Sequence, residues 1–529
     1  MSIRRFLPVF LCAALAFLSA AHTSLSAALA GQNAISPAYD QPYRPQFHFS
    51  PRENWTNDPN GLVYFEGEYH LFFQYNPFGD EWGHMSWGHA VSRDLVHWEQ
   101  LPVAIPEGNG VMIFTGSTVI DEHNSSGFCA GGKPCLVAIF TGHTPESGPR
   151  PALQTQNLAY SNDRGRTWVK YAGNPVLNLN MTDFRDPKVF WSGQSGQWVM
   201  LVSLPNEHKI AIYGAPDLKN WTRLSEFGPE GATGGQWECP ELFELPIEGG
   251  GGATRWVLKV GLNPGALQGG SGEQYFVGEF DGKRFKNDNP ASLQLWTDYG
   301  KDCYCALTFN GLPRNQRPVM IGWMDNWQYA AKLPTSPWRG QMTFPRSLSL
   351  RRTPEGIRLI QQPSDGIDRL EEKRYGAAAS SGDMESVNQA LAMWKLPDHA
   401  YQLKSDIELG SARQAGLRML AQDGSYTVIG YDRDGKKLFV DRTHSGVTHF
   451  SKDFPARTEA PLDLPGGKLR LNILMDRNSL EVFADGGRVT ETNLVFPPAG
   501  ANGIQFYAEG GNVGSVSAGG WGVESIWGK

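Results

Sequence analysis

Ser92-Arg93-Asp94-Leu95-Val96-His97-Trp98, Ser161-Asn162-Asp163-Arg164-Gly165-Arg166-Thr167-Trp168 and Ala215-Pro216-Asp217-Leu218-Lys219-Asn220-Trp221 are three copies of one turn. A more distant relative is Glu279-Phe280-Asp281-Gly282-Lys283-Arg284-Phe285. The aspartates are spaced by 69, 54 and 64 positions. In each copy an Asp sits in a polar turn and an aromatic follows. An Asp in a tight turn can bond its own backbone, and the aromatic can pack into the sheet beneath it. One such turn per four-stranded blade predicts a β-propeller. The repeat supplies four blades and leaves chain for a fifth.

Working outward, helical periodicity is nearly absent before residue 350. Short apolar or alternating runs bounded by Gly, Pro, Asn and Asp replace it: Gly61 to Tyr69, Leu71 to Tyr75, Leu136 to Phe140, Trp198 to Ser203, Ile210 to Gly214 and Trp256 to Val260. These read as strands. The propeller is expected over 42–350, after an N-terminal segment at 31–41. A polar connector with a helical turn is expected at 351–375. Alternation returns at Tyr401 to Leu409, Tyr426 to Tyr431, Lys437 to Asp441, Leu469 to Met475 and Ser479 to Ala484, which predicts a β-sandwich over 376–529. The fold class is therefore all-β.

The 529 residues allow roughly three to four domains at about 150 each, or two where β architectures run long. A hydrophobic share of 40% and 17 Trp exclude a disordered chain. Net charge is −7, and the first 30 residues hold Arg4 and Arg5 but no acid, so the remainder is more acidic still. An acidic surface argues against nucleic acid as a partner. Arg4 and Arg5, the apolar run Phe6 to Ala21 and the small residues up to Ala28-Leu29-Ala30 read as a secretion signal over 1–30. The run is short of the roughly 20 residues that span a bilayer, and no later run approaches that length. The mature chain is thus expected to be secreted or periplasmic, without a membrane span.

Of six Cys, Cys12 leaves with the signal. An odd number remains, so at least one thiol is free or pairs between chains. Cys129 and Cys135 could close a short loop, and Cys303 and Cys305 would share a strand face. No Cys-x-x-Cys occurs, and no metal site or cofactor is expected.

Three acidic clusters carry the chemistry. They are Trp55-Thr56-Asn57-Asp58-Pro59-Asn60-Gly61, Phe184-Arg185-Asp186-Pro187 and Trp237-Glu238-Cys239-Pro240-Glu241. In each, an acid stands beside an aromatic or Arg, with Pro close behind. Pro-locked polar loops can hold carboxylates at a rigid concave site. Glycoside hydrolysis needs two such carboxylates, and aromatic side chains offer apolar area to sugar faces.

These boxes resemble glycoside hydrolase family 32, the invertase, inulinase and levanase group. The first is similar to the family's W-M-N-D-P-N-G box with Thr for Met, the second to its R-D-P motif and the third to its E-C motif. Further matches follow in order: Trp87-Gly88-His89-Ala90, Phe114-Thr115-Gly116-Ser117, Asp298-Tyr299-Gly300-Lys301-Asp302, Trp323-Met324-Asp325-Asn326-Trp327-Gln328-Tyr329, Pro334-Thr335 and Trp338-Arg339-Gly340. The likeness weakens in the C-terminal region, near Leu480-Glu481-Val482-Phe483.

The resemblance implies a five-bladed propeller with a central site, a C-terminal β-sandwich, and retaining hydrolysis of β-D-fructofuranosides. It implies Asp58 as nucleophile, Glu238 as acid/base and Asp186 as transition-state stabiliser, with Arg185 positioning the carboxylates. A retaining pair stands about 5–5.5 Å apart. Asn57, Gln74 and Ser117 would bond fructose hydroxyls, and Trp82 and Trp327 would wall the ring. Phe114 and Thr115 lie in the same stretch. Cys239 reads as a small residue beside the acid/base. The expected substrates are fructans, levan or inulin, and sucrose. A fructosyltransferase on the same scaffold and a non-catalytic fructan-binding protein are the rival readings.

Overall fold

The computed structural model describes residues 37–313, 315–380, 383–397 and 400–528. The secretion signal expected over 1–30 lies outside them. Five antiparallel sheets follow one another along the chain as the blades of a propeller. Blade 1 runs Asn54–Phe65, Glu68–Tyr75, Ser86–Ser92 and Trp98–Ile105. Blade 2 opens with Met112–Asp121, blade 3 with Arg185–Ser192, blade 4 with Gln236–Pro246 and blade 5 with Tyr304–Thr308. Both faces of a blade are covered by its neighbours, so the second strand of blade 1, Glu68–Tyr75, is buried at every position. Apolar side chains fill the gaps. Val63, Phe72, Ile113 and Phe140 pack between blades 1 and 2, and Leu201, Ile212, Leu258 and Leu262 between blades 3 and 4.

The repeated turn links the third and fourth strands of blades 1 to 4. Asp94 Oδ1 accepts from the Val96 and His97 N–H groups at 3.1 and 3.0 Å. Asp217 Oδ1 accepts from Lys219 and Asn220, and Asp281 Oδ1 from Lys283 and Arg284. The indoles of Trp98, Trp168 and Trp221 each donate to the carbonyl three residues back, at 2.9–3.0 Å. Blade 5 makes this connection with a tight turn between Arg346–Thr353 and Gly356–Pro363, which is why the repeat stops at four copies.

Two boundaries move. Gly356–Pro363 is the outer strand of blade 5, and Glu371–Ser380 already belongs to the sandwich. Most of the expected connector 351–375 is therefore sheet, and the link shrinks to a short stretch holding the 3-10 turn Ile367–Arg369. The sandwich stacks a six-stranded sheet on a five-stranded one around a core that includes Leu403, Leu417, Ile429 and Ile473. The helix Met384–Ala392 flanks it, capped by the Asp383 carboxylate on the Ser386 N–H.

Charged groups pin the sandwich to the propeller. Arg346, 1% exposed, reaches Asp298 of the propeller and Glu481 of the sandwich. Glu481 and Asp476 both bond His48 at 2.8 Å. Arg442 pairs with Asp302 and reaches the Tyr329 hydroxyl. Ring closure is separate: Trp338–Arg339 pairs in parallel with Asn54 and Trp55 on the inner strand of blade 1.

Candidate active site

The inner strand of every blade slips register at the same place, and that of blade 1 slips a second time, between Asn60 and Val63. Two residues then oppose one: Asn57-Asp58 against Gln74, Phe114-Thr115 against Thr141, Asp186-Pro187 against Val202, Cys239-Pro240 against Val260, and Cys305-Ala306 against Gly322. Such a bulge turns a side chain out of the alternation. Pro has no N–H to give a ladder, so it is tolerated at a bulge; Pro187 and Pro240 stand in theirs, and Pro59 directly follows the first. Asp186, Cys239 and Cys305 adopt left-handed backbone at φ 67°, 48° and 44°. For non-glycine residues this is strain of the kind kept at functional sites. Gly61 closes the first box at φ +54°, where a Cβ would come within 2.6 Å of Thr118 Oγ1.

The ring of bulges collects the acids. The residue after Glu238 touches both others: Cys239 N–H donates to Asp186 Oδ2 at 2.9 Å, and Cys239 Sγ lies 3.9 Å from Asp58 Oδ2. Thr115 Oγ1 donates to Asp58 Oδ2 at 2.6 Å, while Asp58 Oδ1 has no protein partner. Burial first, then the charge of Glu238, raises the Asp58 carboxyl to about 6, against the pull of the Thr115 hydroxyl. Burial also raises Asp186; the nearby Arg185 opposes this, and Glu238 and Asp58 add to it.

Glu238 has a different setting. Arg185 Nε donates to its Oε1 at 3.0 Å, and the Tyr304 hydroxyl donates to its Oε2 at 2.5 Å. Burial and the surrounding acids hold Tyr304 well above its ordinary range, so it keeps its proton and remains a donor. Arg185 is itself held on three further sides, by Gln154, Asp183 and Gln236. Burial disfavours its charge, but Glu238, Asp186 and Asp183 outweigh that and raise it. Glu241, the other acid of the third box, is fully buried against Lys188 and Thr308 beneath the ring.

The expected pocket residues divide. Asn57 lies in the first bulge, with its Oδ1 taken by the Trp55 indole at 2.8 Å, and Gln74 lies opposite it. Phe114 stacks on His143 at 4.5 Å and meets Trp82 edge-on at 6.2 Å. Trp82 is 46% exposed, an open apolar face. Trp327 joins Trp55 and Trp323 in an aromatic wall, at 5.9 and 4.8 Å. Ser117 also has a structural partner. It is buried, and its Oγ accepts the Val189 N–H at 2.9 Å, so it ties blade 2 to blade 3.

Sequence reasoning missed Tyr304, Gln236 and Asp183. It also misread Cys239, which is not a lone small residue: it is disulfide-bonded to Cys305. The bulge at Cys305 breaks the strand alternation, so Cys303 faces elsewhere and is a buried free thiol. Cys129 and Cys135 form the second disulfide. In both places a carboxylate stands near the two cysteines, but the sulfurs are spent on each other and offer no thiolate to a metal.

Comparison with known proteins adds to this geometry. The family model for the N-terminal domain of glycosyl hydrolases family 32 matches residues 48–363, and the C-terminal model of the same family matches 369–521. A levanase of Bacillus subtilis is 45% identical over 95% of this chain and 74% of its own length. An extracellular exo-inulinase of Aspergillus awamori is 43% identical over 92% of this chain and 96% of its own. The crystal structure of an A. awamori exo-inulinase superposes with TM-score 0.84 at 39% identity, covering 92% of this chain and all of that one. A Schwanniomyces occidentalis β-fructofuranosidase complexed with fructosyl-erythritol gives TM-score 0.81 at 32% identity, over 93% of this chain and 100% of the other.

Proposed function

The chain belongs to glycoside hydrolase family 32, and from that premise we propose that it is an exported, exo-acting β-fructosidase releasing terminal fructose from levan, inulin or sucrose. The relatives named above are a levanase, exo-inulinases and a β-fructofuranosidase, and the name of one exo-inulinase calls it extracellular. Among the described residues no helix is long and apolar enough to cross a membrane.

The observation that carries the mechanism is the contrast between two carboxylates on the bulge ring. Asp58 has one oxygen held by Thr115 and the other without a protein partner. An oxygen free of donors is the better nucleophile, and in this reading it attacks the fructosyl anomeric carbon to give a covalent intermediate. Glu238 is held by two donors from different blades, which fixes its orientation toward the leaving oxygen. It would give its proton to that oxygen, then take one from water to release fructose. Asp186, fixed through its own N–H on Thr141 and its Oδ2 on Cys239, would hold ring hydroxyls and offset developing positive charge. Asn57 and Gln74 would bond hydroxyls, with Trp82, Phe114 and Trp327 enclosing the sugar.

Timed product sizing on levan, inulin and sucrose tests the reading. Free fructose should be the first and main product from each. Long oligomers as first products would defeat the exo assignment, and kestose-type products at high sucrose would favour transfer over hydrolysis.

A further inference from the structure

Cys239 and Cys305 occupy the same bulge position in blades 4 and 5, and their disulfide joins the two inner strands at a Cα separation of 5.4 Å. The residue before each belongs to the site: Glu238 before Cys239, and Tyr304 before Cys305. Those two residues meet at 2.5 Å through hydroxyl and carboxylate. The bridge also reaches Asp186 through the Cys239 N–H and lies against Asp58 through its sulfur. Elsewhere on the ring, neighbouring blades are tied by hydrogen bonds, such as Thr115 to Asp58, Ser117 to the Val189 N–H and Thr141 to the Asp186 N–H. Only between blades 4 and 5 does a covalent bond join two bulges among the described residues. Both cysteines hold left-handed backbone, which a chain without the link would be free to relax.

We propose that the Cys239–Cys305 disulfide is a positioning element for catalysis: it locks the bulges of blades 4 and 5 together, holds Glu238 against the Tyr304 hydroxyl, and makes turnover depend on the bridge being oxidised. The proposal rests on the reading of Glu238 as proton donor. Substrate affinity should depend on it less, since most of the residues that would hold the sugar, Asn57, Gln74, Trp82 and Phe114, lie on blades 1 and 2 and in the connection within blade 1, and of the rest only Asp186 is bonded to the bridge. The sulfurs are buried beside Asp58, so bound fructose should slow their reduction.

The test uses the full oxidised chain carrying Cys129→Ser and Cys135→Ser, which removes the other bridge. A dithiol reductant passes two electrons and two protons to the Cys239–Cys305 bond, leaving two thiols and the reagent's own cyclic disulfide. The expected result is a fall of about tenfold in kcat on sucrose with KM within about twofold, restored on reoxidation. A Cys239→Ala/Cys305→Ala chain should show the same lowered kcat, a displaced pH profile of kcat, and indifference to the reductant. Thiols are counted by mass spectrometry, and melting is followed to show that the reduced protein stays folded at the assay temperature. Full kcat with both thiols free overturns the proposal, as does activity lost only together with the fold. If the oxidised wild type releases no fructose at all, the proposed function fails instead.

Discussion

Replacing Asp58 with Asn should abolish turnover and stabilise the protein, by an amount that depends on pH. The carboxyl stands at about 6 in the folded chain against an ordinary 3.8, chiefly because it is buried. The native state thus holds this proton more tightly than the unfolded chain. Its contribution to stability is greatest below the unfolded value, declines as pH rises through about 6, and is level above. A difference of about two units at 1.36 kcal/mol each makes the ionised carboxylate cost about 3 kcal/mol at neutral pH. Asn is nearly isosteric, can still accept from Thr115, and does not titrate. The variant should therefore exceed the wild type by about 3 kcal/mol at pH 8 and by little at pH 4. Losing the attacking oxygen should cost about 10⁴-fold in kcat, or roughly 5.4 kcal/mol of barrier. Denaturant unfolding of both chains at pH 4, 6 and 8, beside sucrose turnover, reads both effects. A stability gap that is the same at pH 4 and pH 8, or an Asn variant weaker at pH 8, would refute the argument.

The same carboxylate sets an acid limit: kcat/KM of the wild type should fall about tenfold per unit once pH drops below about 6, as Asp58 protonates, which a pH–rate profile will show. Tyr304→Phe removes one of the two donors that orient Glu238, and at about 0.5–1.5 kcal/mol for an ordinary hydrogen bond, kcat should drop about two- to tenfold with KM little changed, as steady-state kinetics on sucrose will show. Arg185→Lys cannot reproduce contacts to Glu238, Asp183, Gln154 and Gln236 from one planar fork, so steady-state kinetics should show kcat falling by more than tenfold, roughly. Arg346→Met strands Asp298 and Glu481 in a buried interface and should cost about 3–5 kcal/mol in unfolding experiments, whereas activity of the folded fraction is retained.

Much of this fold was legible because its connections are local. The Asp turn with its indole writes each blade's outer corner into one short stretch, and Asp94, Asp217 and Asp281 cap the turn as their spacing suggests. Blade 5 lacks that mark, so its outer strand Gly356–Pro363 reads as connector from sequence. The three acids were readable from their motif boxes, each carrying its own Pro. Tyr304 was not, since its partner Glu238 is 66 positions away and no local pattern marks a hydroxyl aimed across two blades. The Cys239 pairing was hidden for the same reason: period-two alternation put Cys303 and Cys305 on one face, and a bulge separated them. Ser117 shows the converse, a motif residue whose neighbour in the fold is the backbone of the next blade.

The clasp at Trp338–Arg339 sets the order in which the enzyme can come into being. Asn54 N–H waits for the Pro337 carbonyl, and Gly340 must lie so near the Thr56 carbonyl that a Cβ would sit 2.1 Å from it. A nascent chain that stops before residue 337 already contains Asp58, Asp186 and Glu238, and Asn310 can already bond Leu62 and Tyr64 of blade 1, but the parallel pairing of Trp338–Arg339 with the start of blade 1 is still missing. Synthesis past the clasp, rather than synthesis of the acids, is what lets the start of blade 1 be paired on its outer side.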